Sequence, residues 1–146
     1  MDNIDNKFIE KGYVPFDLNL INKNTTSDCV LILDDGSFFL GRSFGSKKKC
    51  FGEICFNTSF SGYQEIITDP SYTGQIINFT FPHIGNIGSN KHDNEGNTKS
   101  IAGIVVRQHP TNDSNWRSEL SFDEWLIKND ITGISGIDTR LLTKTI

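Results

Sequence analysis

Three cysteines, three histidines and a scatter of hydroxyls are the residues that could do chemistry in this sequence. Nucleophilic catalysis needs one of them presented beside a base. A G-x-S-x-G or G-x-C-x-G turn would do that, and neither occurs: Ser59, Ser61 and Ser71 lack the flanking glycines, as do Cys29, Cys50 and Cys55. Cys55 lies in an alternating apolar run and reads as core. No cysteine sits in a C-x-x-C pair, and an odd count argues against a closed disulfide framework, so reduced thiols are expected. His83 follows Pro82 in a glycine-flanked loop and is the most site-like histidine. His92 and His109 have no partner at metal-ligand spacing, and the carboxylates make no cluster beyond the turn pair Asp34-Asp35. A hydrolase built from His83 with Cys55 or Ser71 would lack an orienting acid and an oxyanion device. Gly85-Asn86-Ile87-Gly88 lacks the strand, lysine and helix of a phosphate-binding loop.

The strongest signal is an absence of charge. From Cys50 to Asn90 the chain carries no Lys or Arg, and its only acids there are Glu53, Glu65 and Asp69. At the chain's 22% charged content, about nine charges are expected in such a stretch. A fully solvated surface is seldom built this way. The loops are rich in Asn, Ser, Thr, Tyr and Gly, which hydrogen-bond without the desolvation cost of a charge. The segment therefore reads as core on one side and covered surface on the other.

Elements must position these residues. Residues 1–28 are rich in Asn and Asp, lack periodicity, and read as a loosely attached extension. From Cys29 onward, "CVLILDDGSFFLG" predicts a hairpin around Asp35-Gly36, with both turn residues at positive φ. "CFGEICF" (50–56), "QIINFTF" (75–81), "SIAGIVVR" (100–107) and "ITGISGI" (131–137) predict strands, the third buried on both faces. Ser121 to Glu124 has the form of a capping box, with Phe122, Trp125 and Leu126 forming one apolar helical face. Asp138 can cap a last helix from Thr139, and a short helix from Tyr63 to Thr68 should stop before Asp69-Pro70. About five or six strands with two or three helices in 146 residues imply one mixed α/β domain. The sequence stops within the last helix, as a piece of a longer protein would. A net charge of −4, with 18 acids and 14 bases, leaves no basic stripe for nucleic acid. No apolar run is long enough to cross a membrane. The expected setting is the cytoplasm.

"GEICFNTSFSGYQEIITDPSYTGQIINFTFPHIGNIG" (52–88), with "LILDDGSFFLGRSFG" (31–45), "SNWRS" (114–118) and "GISGIDTRLLT" (133–143), resembles the small, glutamine-dependent subunit of carbamoyl-phosphate synthetase. The resemblance covers residues 29–146 and rests on several long motifs in order. It departs mildly at Ser61-Gly62-Tyr63-Gln64-Glu65, where the family has threonine first. The resemblance implies the layered β/β/α domain found at the N-terminus of that subunit. It also implies a second domain, absent from this chain: a glutamine amidotransferase whose Cys–His–Glu machinery releases ammonia from L-glutamine.

The implied partners are the large synthetase subunit, the glutaminase domain of the same full-length chain, and L-glutamine. The large subunit would use ATP and Mg with bicarbonate, and no cofactor or metal is implied in this domain. The product would feed pyrimidine or arginine biosynthesis. No catalytic residue carries over, so the chain alone should not hydrolyse glutamine. Ser71, in the D-P-S-Y motif, is implied as a glutamine contact, with Tyr63, Gln64, Glu65 and His83 as candidates for subunit or domain contacts. The alternative is a free-standing, non-catalytic binding module that reuses this domain.

Overall fold

The computed structural model describes residues 26–85, 101–110 and 120–146. Most of the expected N-terminal extension and the motif at 114–118 lie outside the described residues. Six strands form one mixed sheet: β1 (Cys29–Ile32), β2 (Phe38–Gly45), β3 (Ile54–Asn57), β4 (Ile76–Phe79), β5 (Gly103–Val105) and β6 (Thr132–Ser135). Their order is β1-β2-β6-β5-β4-β3. β1–β2 and β2–β6 are antiparallel, while β3, β4, β5 and β6 run parallel. Three helices complete the fold: α1 (Tyr63–Thr68), α2 (Phe122–Lys128) and α3 (Thr139–Thr145).

β2 explains the layering. Its first half, Phe38 to Gly41, pairs with β1, and its second half, Arg42 to Gly45, pairs with β6. A strand that changes partners midway makes a corner. Gly41 sits there, and a Cβ on it would lie 2.4 Å from the Ser135 carbonyl and 2.7 Å from the Ile134 side chain. Only glycine permits that approach. The corner lets the β1–β2 hairpin place Leu31, Leu33 and Phe39 against Ile76, Val105, Ile134 and Leu142 on one face of the sheet. The other face buries Phe44, Ile77, Phe79, Ile104 and Val106 against Tyr63 and Ile67 of α1 and Phe122, Trp125 and Leu126 of α2. The α/β class and the β/β/α layering are those expected.

Local signals act as the sequence implied, with one correction. Ser121 Oγ accepts from Glu124 N (3.2 Å) while Ser121 N donates to Glu124 Oε2 (3.0 Å), closing the capping box. Asp138 Oδ1 accepts from Leu141 N (3.0 Å) and starts α3. The hairpin differs. Gly36 alone takes positive φ (+86°), and Asp35 does not. Gly36 N donates to Leu33 O and Leu33 N to Ser37 O, which makes a three-residue loop whose one left-handed position is the glycine. Asp35 instead uses its carboxylate to accept from Ser37 N (2.8 Å). β5 is buried throughout, as its continuous apolar run requires, although only three of its residues join the ladder.

The described core begins before Cys29. Asp28 N donates to Gly41 O, and the Asp28 carboxylate accepts from both Ser43 N (2.6 Å) and Ser43 Oγ (2.9 Å).

Candidate interaction surface

The segment without Lys or Arg builds β3, α1, a 3₁₀ turn at Pro70–Tyr72 and β4. Its interior half is core: β4 is buried at every position, and Ile67 of α1 has no exposed surface. Helix α1 must stop at Thr68, because Pro70 disfavours helical backbone at Asp69. Asp69 is extended (φ −68°, ψ 120°) and caps the 3₁₀ turn, its Oδ1 accepting from Ser71 N at 2.8 Å. The Ser71 amide, and then the nearby Ser71 hydroxyl, hold the Asp69 carboxyl below the usual carboxylate range. Thr73 Oγ1 donates to Pro70 O (2.6 Å) and Gly74 turns the chain at φ +74°. Tyr72 ties the loop down, its hydroxyl accepting from Asn57 Nδ2 of β3 (3.2 Å). The result is a rigid turn with Ser71 exposed at its tip.

The other candidate residues divide by burial. Tyr63 and Gln64 are 6% and 3% exposed, and Tyr63 meets Phe122 edge-on at a 4.7 Å centroid distance. Their side chains serve the domain's own core and offer no face to a partner. Glu65 is half-buried and His83 is exposed. The residues that present surface beside them were not singled out in the sequence. Phe60 is 81% exposed, and its ring meets Phe81 edge-on at 5.7 Å, while Phe81 in turn meets His83 at 6.1 Å. Beneath them, Ser59, Phe60, Tyr63, Phe79, Phe81 and Ile84 line a cavity of about 10 Å³, room for a water at most. The sequence signal for this cluster was indirect: Phe60 lies in a turn-rich segment, while Phe81 closes the expected strand 75–81, which in the structure ends at Phe79. Ser71 leads into the start of β4 and the Phe60–Phe81–His83 cluster follows the ends of β3 and β4. The two features therefore lie on opposite ends of the parallel strands.

Elsewhere the chemistry is structural. Burial is the first cause raising each of the Cys29, Cys50 and Cys55 thiols, which disfavours the reactive thiolate. His109 Nδ1 lies 3.0 Å from Ser135 Oγ, which donates to Arg42 O (3.1 Å). The serine is buried and bridges β2 to the segment after β5. In the run Lys47-Lys48-Lys49, Lys48 pairs with Asp130, which also accepts from Ser46 Oγ (2.7 Å). Among the described residues no group of three His, Cys, Asp or Glu side chains could hold a metal ion, and no helix is long and apolar enough to cross a membrane.

Comparison with known proteins places this arrangement. Residues 31–146 match the family model described as carbamoyl-phosphate synthase small chain, CPSase domain. The chain is 51% identical over 117 residues to the carbamoyl phosphate synthase small chain of Listeria monocytogenes serotype 4b (strain F2365), covering 80% of this chain and 32% of that protein. It is 53% identical over 116 residues to that of Bacillus caldolyticus, with the same coverage, and 54% identical over 115 residues to that of Buchnera aphidicola subsp. Schizaphis graminum (strain Sg), covering 79% and 30%. The chain spans about a third of the length of these relatives. Matched through its hairpin, cation-free segment and last helix, the chain belongs to the carbamoyl-phosphate synthase small chain family.

Proposed function

We propose that this chain is the assembly domain of a glutamine-dependent carbamoyl-phosphate synthase small chain. It docks the large subunit through its cation-free surface and contributes Ser71 to the glutamine site. The observation that carries the docking role is Phe60, a large apolar side chain left 81% exposed in a segment without a cation. An exposed aromatic anchor rimmed by uncharged polar residues is the usual make-up of a protein interface centre. The interface candidates thus become Phe60, Phe81 and His83 with Glu65 at the margin, in place of the buried Tyr63 and Gln64. Ser71 fits the second role because its turn is fixed while its tip is open. The chain by itself should not hydrolyse glutamine: none of its three cysteines lies in a nucleophile motif, and all three are half-buried, with burial raising their thiol pKa. ATP and Mg belong to the large subunit, the setting is the cytoplasm, and the product serves pyrimidine or arginine synthesis.

Co-elution of the 146-residue chain with the purified large subunit on size exclusion tests the docking role. Phe60→Lys should abolish the co-migrating peak, at a cost of about 2 kcal/mol or more for a central aromatic anchor. Ile127→Lys, at another exposed apolar position on α2, should leave it intact. Separate elution of the folded, unsubstituted chain would refute docking through this domain and favour the free-standing module.

A further inference from the structure

Among the described residues, the outer edge of β3 is open. Ile76 N donates to Glu53 O and Thr80 N to Asn57 O, so Glu53, Cys55 and Asn57 turn their backbone groups toward β4. Successive residues of a strand alternate, so the N–H and C=O groups of Ile54 and Phe56 point away from β4. β3 is the last strand of the sheet. Among the described residues nothing pairs with the outward groups of Ile54 or Phe56. Soluble proteins usually blunt such an edge with lysine, proline or a bulge. This one has none of these: Phe56 stands 51% exposed on it, and the nearest cations in sequence are Lys49 and Lys91.

We propose that this edge pairs with the same edge of a second copy of the chain, antiparallel, about a two-fold axis through Cys55. The surface is self-complementary in that register. Ile54 faces Phe56 of the second copy and Phe56 faces Ile54, and both residues have outward backbone groups, so each pair exchanges two hydrogen bonds and about four form in all. The side chains of Ile54 and Phe56 share one face of the strand, so the two apolar pairs also meet across the axis. Glu53 falls opposite Asn57, and no like charges oppose. A parallel pairing would set Glu53 beside its own copy and would not close as a dimer. Contact over about four residues a side belongs with weak, concentration-dependent associations. The inference goes beyond the docking role, which uses the loops that follow β3 and β4.

The test uses the 146-residue chain in sedimentation equilibrium over a wide concentration range, with amide exchange followed residue by residue. Dimer mass should appear at high concentration, and exchange at Ile54 and Phe56 should slow with it. Phe56→Lys should return the chain to monomer with unchanged circular dichroism. The register is read with Cys55 as sole thiol, in a Cys29→Ala, Cys50→Ala variant. Facing Cys55 residues, a non-hydrogen-bonded pair with Cα atoms about 4.5 Å apart, are within disulfide reach. Copper phenanthroline with oxygen should remove two protons and two electrons from the paired thiols and join the copies. A monomer at every concentration, or a dimer untouched by Phe56→Lys, overturns the proposal. A dimer with slowed exchange at other strands, or without the Cys55 link, overturns this register.

Discussion

A single hydroxyl carries the most specific functional claim. Ser71 is positioned by two neighbours that leave little freedom: Pro70 fixes the entry to the turn and Asp69 takes the Ser71 amide at 2.8 Å. Asp69 holds the turn chiefly through the Ser71 amide, and the Ser71 hydroxyl adds only a lesser, solvent-screened contact to the same carboxylate. Ser71→Ala should therefore leave stability nearly unchanged. In the complete, assembled synthetase it should raise KM for glutamine about three- to tenfold, the worth of one hydrogen bond to the substrate, while activity with added ammonia, which bypasses glutamine, stays the same. Equal losses with glutamine and with ammonia would assign Ser71 a structural role. D-P-S-Y announced this turn in the sequence. Burial of Tyr63 and Gln64 was not announced, because a six-residue helix with Tyr, Gln, Glu, Ile, Ile and Thr is too short to define its buried face until the sheet beneath it is known.

At the scale of elements, the last helix is joined to the middle of the sheet by one side chain. Asn78 on β4 is fully buried, and its Nδ2 donates to Thr139 O (3.0 Å) and Thr143 Oγ1 (2.9 Å) of α3. Thr143 Oγ1 itself donates to Thr139 O (2.7 Å), and a carbonyl can only accept, so the amide orientation is determined. The opposite atom, Oδ1, has no partner among the described residues. Asn78 is thus a polar clamp in an otherwise apolar layer. Asn78→Ala should lower unfolding free energy by about 2 kcal/mol, since it removes two buried hydrogen bonds to α3 and opens a void. Urea denaturation reads this loss, and it should be accompanied by faster amide exchange in α3 than in α2. Equal acceleration in both helices would show that the clamp is not specific to α3. In the sequence, "QIINFTF" gave the strand but no hint that Asn78 faces inward. A polar residue at an alternating position normally marks the solvent side, and here the second face is covered by α3 and the hairpin.

For the molecule as a whole, the start of the described domain is stitched to the sheet by a carboxylate. Asp28 has a lowered pKa, first because Ser43 N–H donates to it, with the Ser43 hydroxyl adding to the effect. Asp35 and Asp69 are lowered by their own turn contacts in the same way. The unfolded chain, with ordinary aspartates near 3.9, binds more protons than the native one as pH falls. Stability from these contacts is therefore complete above about pH 5 and is lost as pH drops through the ordinary value toward the lowered native one. Asp28→Asn should lower the urea midpoint slightly at pH 7 and flatten its fall between about pH 5 and 3. A midpoint that falls as steeply in the variant as in the parent chain would remove Asp28 from the acid response. The effect is small, because all three carboxylates lie at or near the surface, where solvent screens them.

The sequence by itself determined the local grammar and the family. Capping residues, the hairpin glycine, Asp69-Pro70 and the apolar runs act over a few residues, and their physics is complete within those residues. The cation-free stretch could also be seen, because composition needs no coordinates. Tertiary structure alone decided which half of that stretch is core and which is surface. It made Gly41 a corner and Asn78 a clamp, left Phe60 exposed and, among the described residues, left the β3 edge open. Each of these depends on which strands become neighbours, and that is set by contacts between residues far apart in the chain, such as Asn78 with Thr139 and Arg42 with Ser135.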